Sequence, residues 1–178
     1  MEGWTGAFIA LVGVAIGAIL SHVSTTQLAK KQRQWEEVLH KRNKLEELSS
    51  VLDLFENSYR KLSGSAAMRV NNGTPMEFSG ERIPETRLNT LLSFYAPEML
   101  EEKAVLDQLT AAYGSVIADV IGCSSLDSKS KGELMVKVLS GHKKIEAQCK
   151  KLASMAADIV RREVASESSN KALQRTSR

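Results

Sequence analysis

Trp4 to Val23 reads WTGAFIALVGVAIGAILSHV, 20 residues without one Lys, Arg, Asp or Glu. Fourteen are Ala, Val, Ile, Leu, Phe or Trp, and the rest are Thr5, Gly6, Gly13, Gly17, Ser21 and His22. About 20 apolar residues in a helix match the roughly 30 Å hydrocarbon layer of a bilayer. The core helix of a soluble domain would keep a polar face, which this run lacks. The run is therefore read as a transmembrane helix. A cleaved signal peptide would open on basic residues and end at a small-x-small site, whereas this chain opens Met1-Glu2-Gly3 and no such site follows. Nor is Met1-Glu2 the Met-Gly start that myristoylation needs.

The flanks set the orientation. Lys30, Lys31, Arg33, Lys41, Arg42 and Lys44 follow the run, and only Glu2 and the amino terminus precede it. Lys and Arg stay on the cytoplasmic side, so the N-terminus is expected outside and the rest of the chain inside, at the bacterial inner membrane. Trp4 stands where an interfacial anchor would. Lys30, Lys31 and Arg33 are the expected inner-leaflet contacts, each gaining about 1 kcal/mol near anionic lipid. Within the run, Gly6, Ala10, Gly13, Gly17 and Ser21 step by four, three, four and four, with a GxxxG at Gly13 to Gly17. Such a small-residue stripe lets two helix backbones approach closely, so homo-oligomerisation in the membrane is expected, the alternative being a stripe that faces lipid.

Beyond the run the chain changes character. The formal net charge is +3, and without Glu2 there remain 24 basic and 20 acidic residues. So mild an excess, with aromatics at only 5%, argues against nucleic acid as a partner. Gln27 to Leu62 has no Gly or Pro. Trp35, Val38, Leu45, Leu48, Leu52, Phe55, Tyr59 and Leu62 recur mostly at three- and four-residue steps, the mark of a helix with one apolar seam. Nothing interrupts the chain between span and seam, so one helix of about 90 Å is expected from Trp4 to Leu62 at roughly 1.5 Å per residue.

Gly64 to Arg82, rich in Gly, Asn, Ser and Pro, reads as an exposed loop, with Met76 and Phe78 able to tuck it onto the domain. Pro84 opens a short helix with Leu88, Leu91, Leu92 and Tyr95 on its buried side. Pro97 ends it and starts a third, in which Leu106, Leu109, Tyr113, Val116 and Val120 alternate and Gly122 closes. Ser130-Lys131-Gly132-Glu133 fits a capping box. The fourth helix follows, with a seam of Met135, Val138, His142, Ile145, Cys149, Leu152, Ala156 and Ile159, and with Lys137, Lys144 and Lys151 seven apart on a solvated face. No segment alternates like a strand. The fold expected is all-α: a transmembrane anchor over 1–26, a cytoplasmic antiparallel helical bundle with coiled-coil-like seams over 27–165, an exposed loop at 64–82 and a disordered tail over 166–178.

Chemistry-bearing motifs are few. Glu37-Val38-Leu39-His40 has the ExxH spacing of di-iron bundles, but no second ExxH exists, so no metal is expected. His142, on an apolar seam, reads as a core or interface histidine. Walker A, GxGxxG, GxSxG and HExxH motifs are all missing. Neither Cys123 nor Cys149 has a histidine beside it; both are expected to be reduced, as structural thiols in the cytoplasm. The pairs Glu36-Glu37, Glu46-Glu47 and Glu101-Glu102 read as solvated faces. No catalytic residue and no cofactor is expected.

The layout of one span, a basic juxtamembrane helix and a helical bundle with a Tyr-x-Pro-Glu turn (Tyr95-Ala96-Pro97-Glu98) resembles a loose group of bacterial single-pass membrane proteins with a cytoplasmic helical domain. No activity is known for that group, so the resemblance implies no site residues. The last nine residues, Asn170 to Arg178 (NKALQRTSR), look like the tail of a reading frame that runs into the recombination site of an integron gene cassette, which implies a mobile accessory gene. The function expected is a membrane-anchored scaffold or interaction module, self-associating or binding a cytoplasmic protein. The alternative is a membrane-acting effector of a defence or stress system.

Overall fold

The computed structural model describes the backbone of residues 2–76, 83–122 and 128–176, and the side chains of 18, 21–76, 83–122 and 128–165. The described residues are almost all helical, with no strand among them. The helices are α1 (Glu2–Asn72), α2 (Glu85–Tyr95), α3 (Leu100–Gly122) and α4 (Ser128–Thr176), with a 3-10 turn at Pro97–Met99 between α2 and α3. The chain divides into two compact units, Met1–Lys41 and Arg42–Arg178.

The first unit is the N-terminal part of α1. From Ser21 to Glu37 every side chain is exposed, including Val23, Leu28 and Trp35. The apolar seam anticipated from Trp35 becomes buried only at Leu45, because Trp35 is 54% exposed and Val38 is half-buried.

The second unit is the bundle. Leu45, Leu48, Leu52, Phe55 and Tyr59 of α1 are buried, as are Leu88, Leu91 and Leu92 of α2, Leu106, Tyr113, Ile117 and Val120 of α3, and Val138, Ile145, Cys149, Leu152, Ala156 and Ile159 of α4. The contacts fix the directions. Gln148 of α4 donates from Nε2 to the backbone oxygen of Glu102 at 2.8 Å, near the start of α3, while Gly141, earlier in α4, lies against Tyr113, later in α3. So α4 runs antiparallel to α3. Tyr59 of α1 meets Tyr113, with ring centroids 6.0 Å apart, and Arg69, further along α1, donates to the oxygen of Val120. So α1 and α3 run the same way. Short α2 buries Leu88, Leu91 and Leu92 in the core and pairs Arg87 with Glu47 of α1.

The loop expected from Gly64 begins nine residues later. Helix α1 continues through Ser63-Gly64-Ser65, burying Ser63, Ala66 and Val70. A helical glycine costs about 1 kcal/mol against alanine, and these burials offset it. The real stop is Asn72-Gly73-Thr74-Pro75. Gly73 has φ 68°, and its N–H donates to Arg69 O at 2.8 Å, closing the helix with a left-handed C-cap. Met76 is half-buried against the core, as anticipated, while Phe78 lies outside the described residues.

Two further boundaries differ. α4 starts at Ser128, two residues ahead of the capping serine read at Ser130. It also runs on to Thr176, through the segment read as a disordered tail, because nothing after Gly141 is Gly or Pro and the chain keeps helix-forming Ala, Glu, Lys, Leu, Gln and Arg.

One helical stretch among the described residues, Pro97–Gly122, is long and apolar enough to cross a membrane, with a mean hydropathy of 1.3. It also buries five large side chains in the bundle (Met99, Leu106, Tyr113, Ile117 and Val120), pairs Lys103 with Asp107, and receives Arg69 on its last carbonyls. Those contacts are what a helix of the bundle core makes.

Candidate functional site

Three places in the molecule offer chemistry beyond packing. The first is the N-terminal unit. Gly6, Ala10, Gly13 and Gly17 have helical backbones, which at 100° per residue put their Cα atoms on one side of the helix, with Ser21 continuing the row. The side chains of residues up to Gly17 lie outside the described ones. Ser21 is exposed, and its carbonyl accepts from Thr25 Oγ1 at 2.9 Å; Thr26 Oγ1 likewise donates to His22 O at 2.9 Å. Hydroxyls folded onto the carbonyl four residues back satisfy themselves without water.

Just beyond stand Lys30, Lys31 and Arg33, all exposed. Eleven residues on, Lys41, Arg42 and Lys44 repeat the spacing, and eleven residues return to nearly the same face of a helix. The two clusters are used differently. Arg42 pairs with Glu46 at 2.9 Å and Lys44 with Glu47 at 2.8 Å. Lys30, Lys31 and Arg33 meet no carboxylate among the described residues. Three uncommitted cations thus follow directly on the uncharged run. Sequence reasoning found them by charge asymmetry; the contrast in pairing needed the structure.

The second place is a polar layer inside the bundle. His142 Nε2 is buried, has no hydrogen-bond partner, and lies 4.0 Å from Glu56 Oε1. The phenol oxygen of Tyr113, a residue only 1% exposed, is also buried, with the Ser63 side chain as its neighbour. Cys149 is buried and free, and burial first, with the Glu56 and Asp53 carboxylates behind it, pushes its thiol up to about 12. It is a protonated, unreactive thiol at neutral pH. Cys123 lies outside the described residues. Glu37 and His40, the ExxH pair, are exposed in the N-terminal unit, and among the described residues no three His, Cys, Asp or Glu side chains converge to hold a metal ion.

The third place was not foreseen. A groove of about 210 Å³ opens between α3 and α4, with Leu109, Ala112 and Val116 on one side and Ser140 and Gly141 on the other. The Tyr113 ring forms its inner wall, lying so close to Gly141 that an added Cβ would sit 2.5 Å from Tyr113 Cδ2. Lys137 and Lys144 stand at its rim. The sequence pointer was Ala112, Ser140 and Gly141, small residues at a helix crossing, but only the register of α3 on α4 brings them together.

The chain matches no protein-family model, and neither the curated proteins nor the solved structures contain a significant match.

Proposed function

We propose that this chain is a membrane-anchored, non-enzymatic interaction module. In this reading the run from Trp4 to Val23 spans the bacterial inner membrane with the N-terminus outside. Lys30, Lys31 and Arg33 contact anionic headgroups of the inner leaflet, and the bundle is presented to the cytoplasm, where it binds a protein partner. Pairing of two copies along Gly6, Ala10, Gly13, Gly17 and Ser21 belongs to the same reading.

The observation that carries it is the difference between two basic clusters of like spacing. The one next to the uncharged run meets no carboxylate among the described residues, whereas in the one eleven residues on Arg42 pairs with Glu46 and Lys44 with Glu47. Exposed cations left unpaired beside an apolar helix are what a lipid headgroup layer would use. Sidedness is tested by protease treatment of membrane vesicles. Inverted vesicles should lose the bundle to the protease and right-side-out vesicles should keep it; the reverse pattern contradicts the orientation.

A further inference from the structure

The groove between α3 and α4 has a size, a lining and a charge pattern that together select an occupant. An apolar cavity of about 150 Å³ takes one benzene ring, and drug-sized ligands occupy about 300–1,000 Å³. At about 210 Å³ this groove has room for one large apolar side chain and little else. It exists because the facing residues are small. Ala112 contributes one methyl, the hydroxyl of Ser140 folds back onto Lys137 O at 3.3 Å, and the place of a Gly141 side chain is taken by the Tyr113 ring of the inner wall.

The rim adds direction. Lys137 and Lys144 are seven residues apart on α4, two turns or about 10.5 Å along the axis. Both are exposed, and neither meets a carboxylate among the described residues. Lys151, next in the same series, pairs with Glu102 at 2.7 Å and Lys103 with Asp107 at 2.5 Å. Lys129, Lys131 and Lys143 also form no ion pair among the described residues, but only Lys137 and Lys144 line the groove. Two free cations thus bracket an apolar hole. A fatty acid, with one charge at the end of its chain, would engage one of them and leave the other. A helix carrying carboxylates two turns apart and a large apolar side chain midway repeats the spacing of both cations and fills the hole.

We propose that this groove binds an amphipathic helix of a partner protein, recognised by an acidic–apolar–acidic face: a Phe or Leu seated over the Tyr113 ring between Ala112 and Ser140, and Asp or Glu on Lys137 and Lys144. The proposal rests on the bundle being an interaction module, and it names the chemistry of the partner.

The test is a fluorescence-anisotropy titration of the full chain in detergent micelles. The probe is a labelled helical peptide with two glutamates two turns apart and a phenylalanine midway, and the control carries lysines in place of the glutamates. The acidic peptide should bind at least tenfold more tightly than the basic one. K137E combined with K144E should reverse that order while the circular dichroism spectrum stays the same. A gain of affinity for the basic peptide cannot come from unfolding. Equal binding of the two peptides overturns the proposal, as does a preference that survives the charge reversal. Saturable binding of sodium decanoate in place of the acidic peptide makes the groove a lipid site and overturns it as well. Membrane retention and sidedness do not depend on this titration, so the wider reading and this one fail separately.

Discussion

Single residues set what the bundle interior tolerates. Gly141 is the clearest case, since its lack of a side chain lets the Tyr113 ring lie against the α4 backbone. In Gly141→Ala the new Cβ would sit 2.5 Å from Tyr113 Cδ2, so the buried ring would have to shift into the groove it lines. Overpacking a core costs about 1–3 kcal/mol, offset by about 1 kcal/mol of helix propensity gained over glycine. The variant should therefore lose up to about 2 kcal/mol by urea unfolding; a stabilised variant would show that the ring yields freely. Glu47 shows the same logic for charge. Lys44 first, then Arg87, hold its carboxyl below the usual carboxylate range. A depressed acid contributes stability above its unfolded-state value and loses it as pH falls through the folded one. The attachment of α2 should thus persist at neutral pH and weaken only below the ordinary glutamate range, near pH 4 and under. Hydrogen exchange of the α2 amides measures this, and Glu47→Gln should remove the pH dependence.

At the scale of elements, helix ends carry the information that hydrophobic steps do not. Arg69 of α1 donates from Nε to Val120 O at 2.9 Å and from Nη2 to Ile121 O at 2.8 Å, so a side chain of one helix caps the C-terminus of another. Hydrogen bonds from a charged donor contribute about 1.5–3 kcal/mol when shielded. With one of these two bonds exposed, Arg69→Leu should cost about 1–2 kcal/mol in a chemical denaturation series and fray the end of α3. No change would mean that water caps the helix equally well. The seams of α3 and α4 were legible in the main because apolar residues recur there at three- and four-residue steps. But Ile117 is buried where Val116 was expected and Leu134 where Met135 was, since adjacent apolar residues leave the step ambiguous. The last turns of α1 were not, because beyond Tyr59 the steps are kept by Ser63, Ala66 and Val70, small residues with a glycine among them. Asn72-Gly73-Thr74-Pro75 was a stronger stop than Ser63-Gly64-Ser65, since only Gly73 adopts the positive φ that glycine uniquely supplies at little cost. Arg69, a lone cation in its turn, gave no sign that its partners were carbonyls of another helix.

For the whole molecule, composition puts the boundary after residue 26, where the uncharged run gives way to charge, whereas the compact units part at Lys41 and Arg42. The reason is that the basic stretch of α1 stays exposed and the first buried side chain among the described residues is Leu45. The all-α class and the helical N-terminal run were readable from pattern alone. That α1 and α3 run in the same direction was not, since periodicity says which face of a helix is apolar and nothing about which neighbour covers it. Nor was the groove, which depends on that pairing. The account stands on lipid solvating the run from Trp4 to Val23. Alkaline carbonate extraction of membranes from cells expressing the full chain tests this most directly. The account predicts that the unaltered chain sediments with the membranes, and that Leu11→Asp with Ile16→Asp releases it, since each acid costs about 2.5–3.5 kcal/mol at the centre of a span. An unaltered chain found in the carbonate supernatant would contradict it.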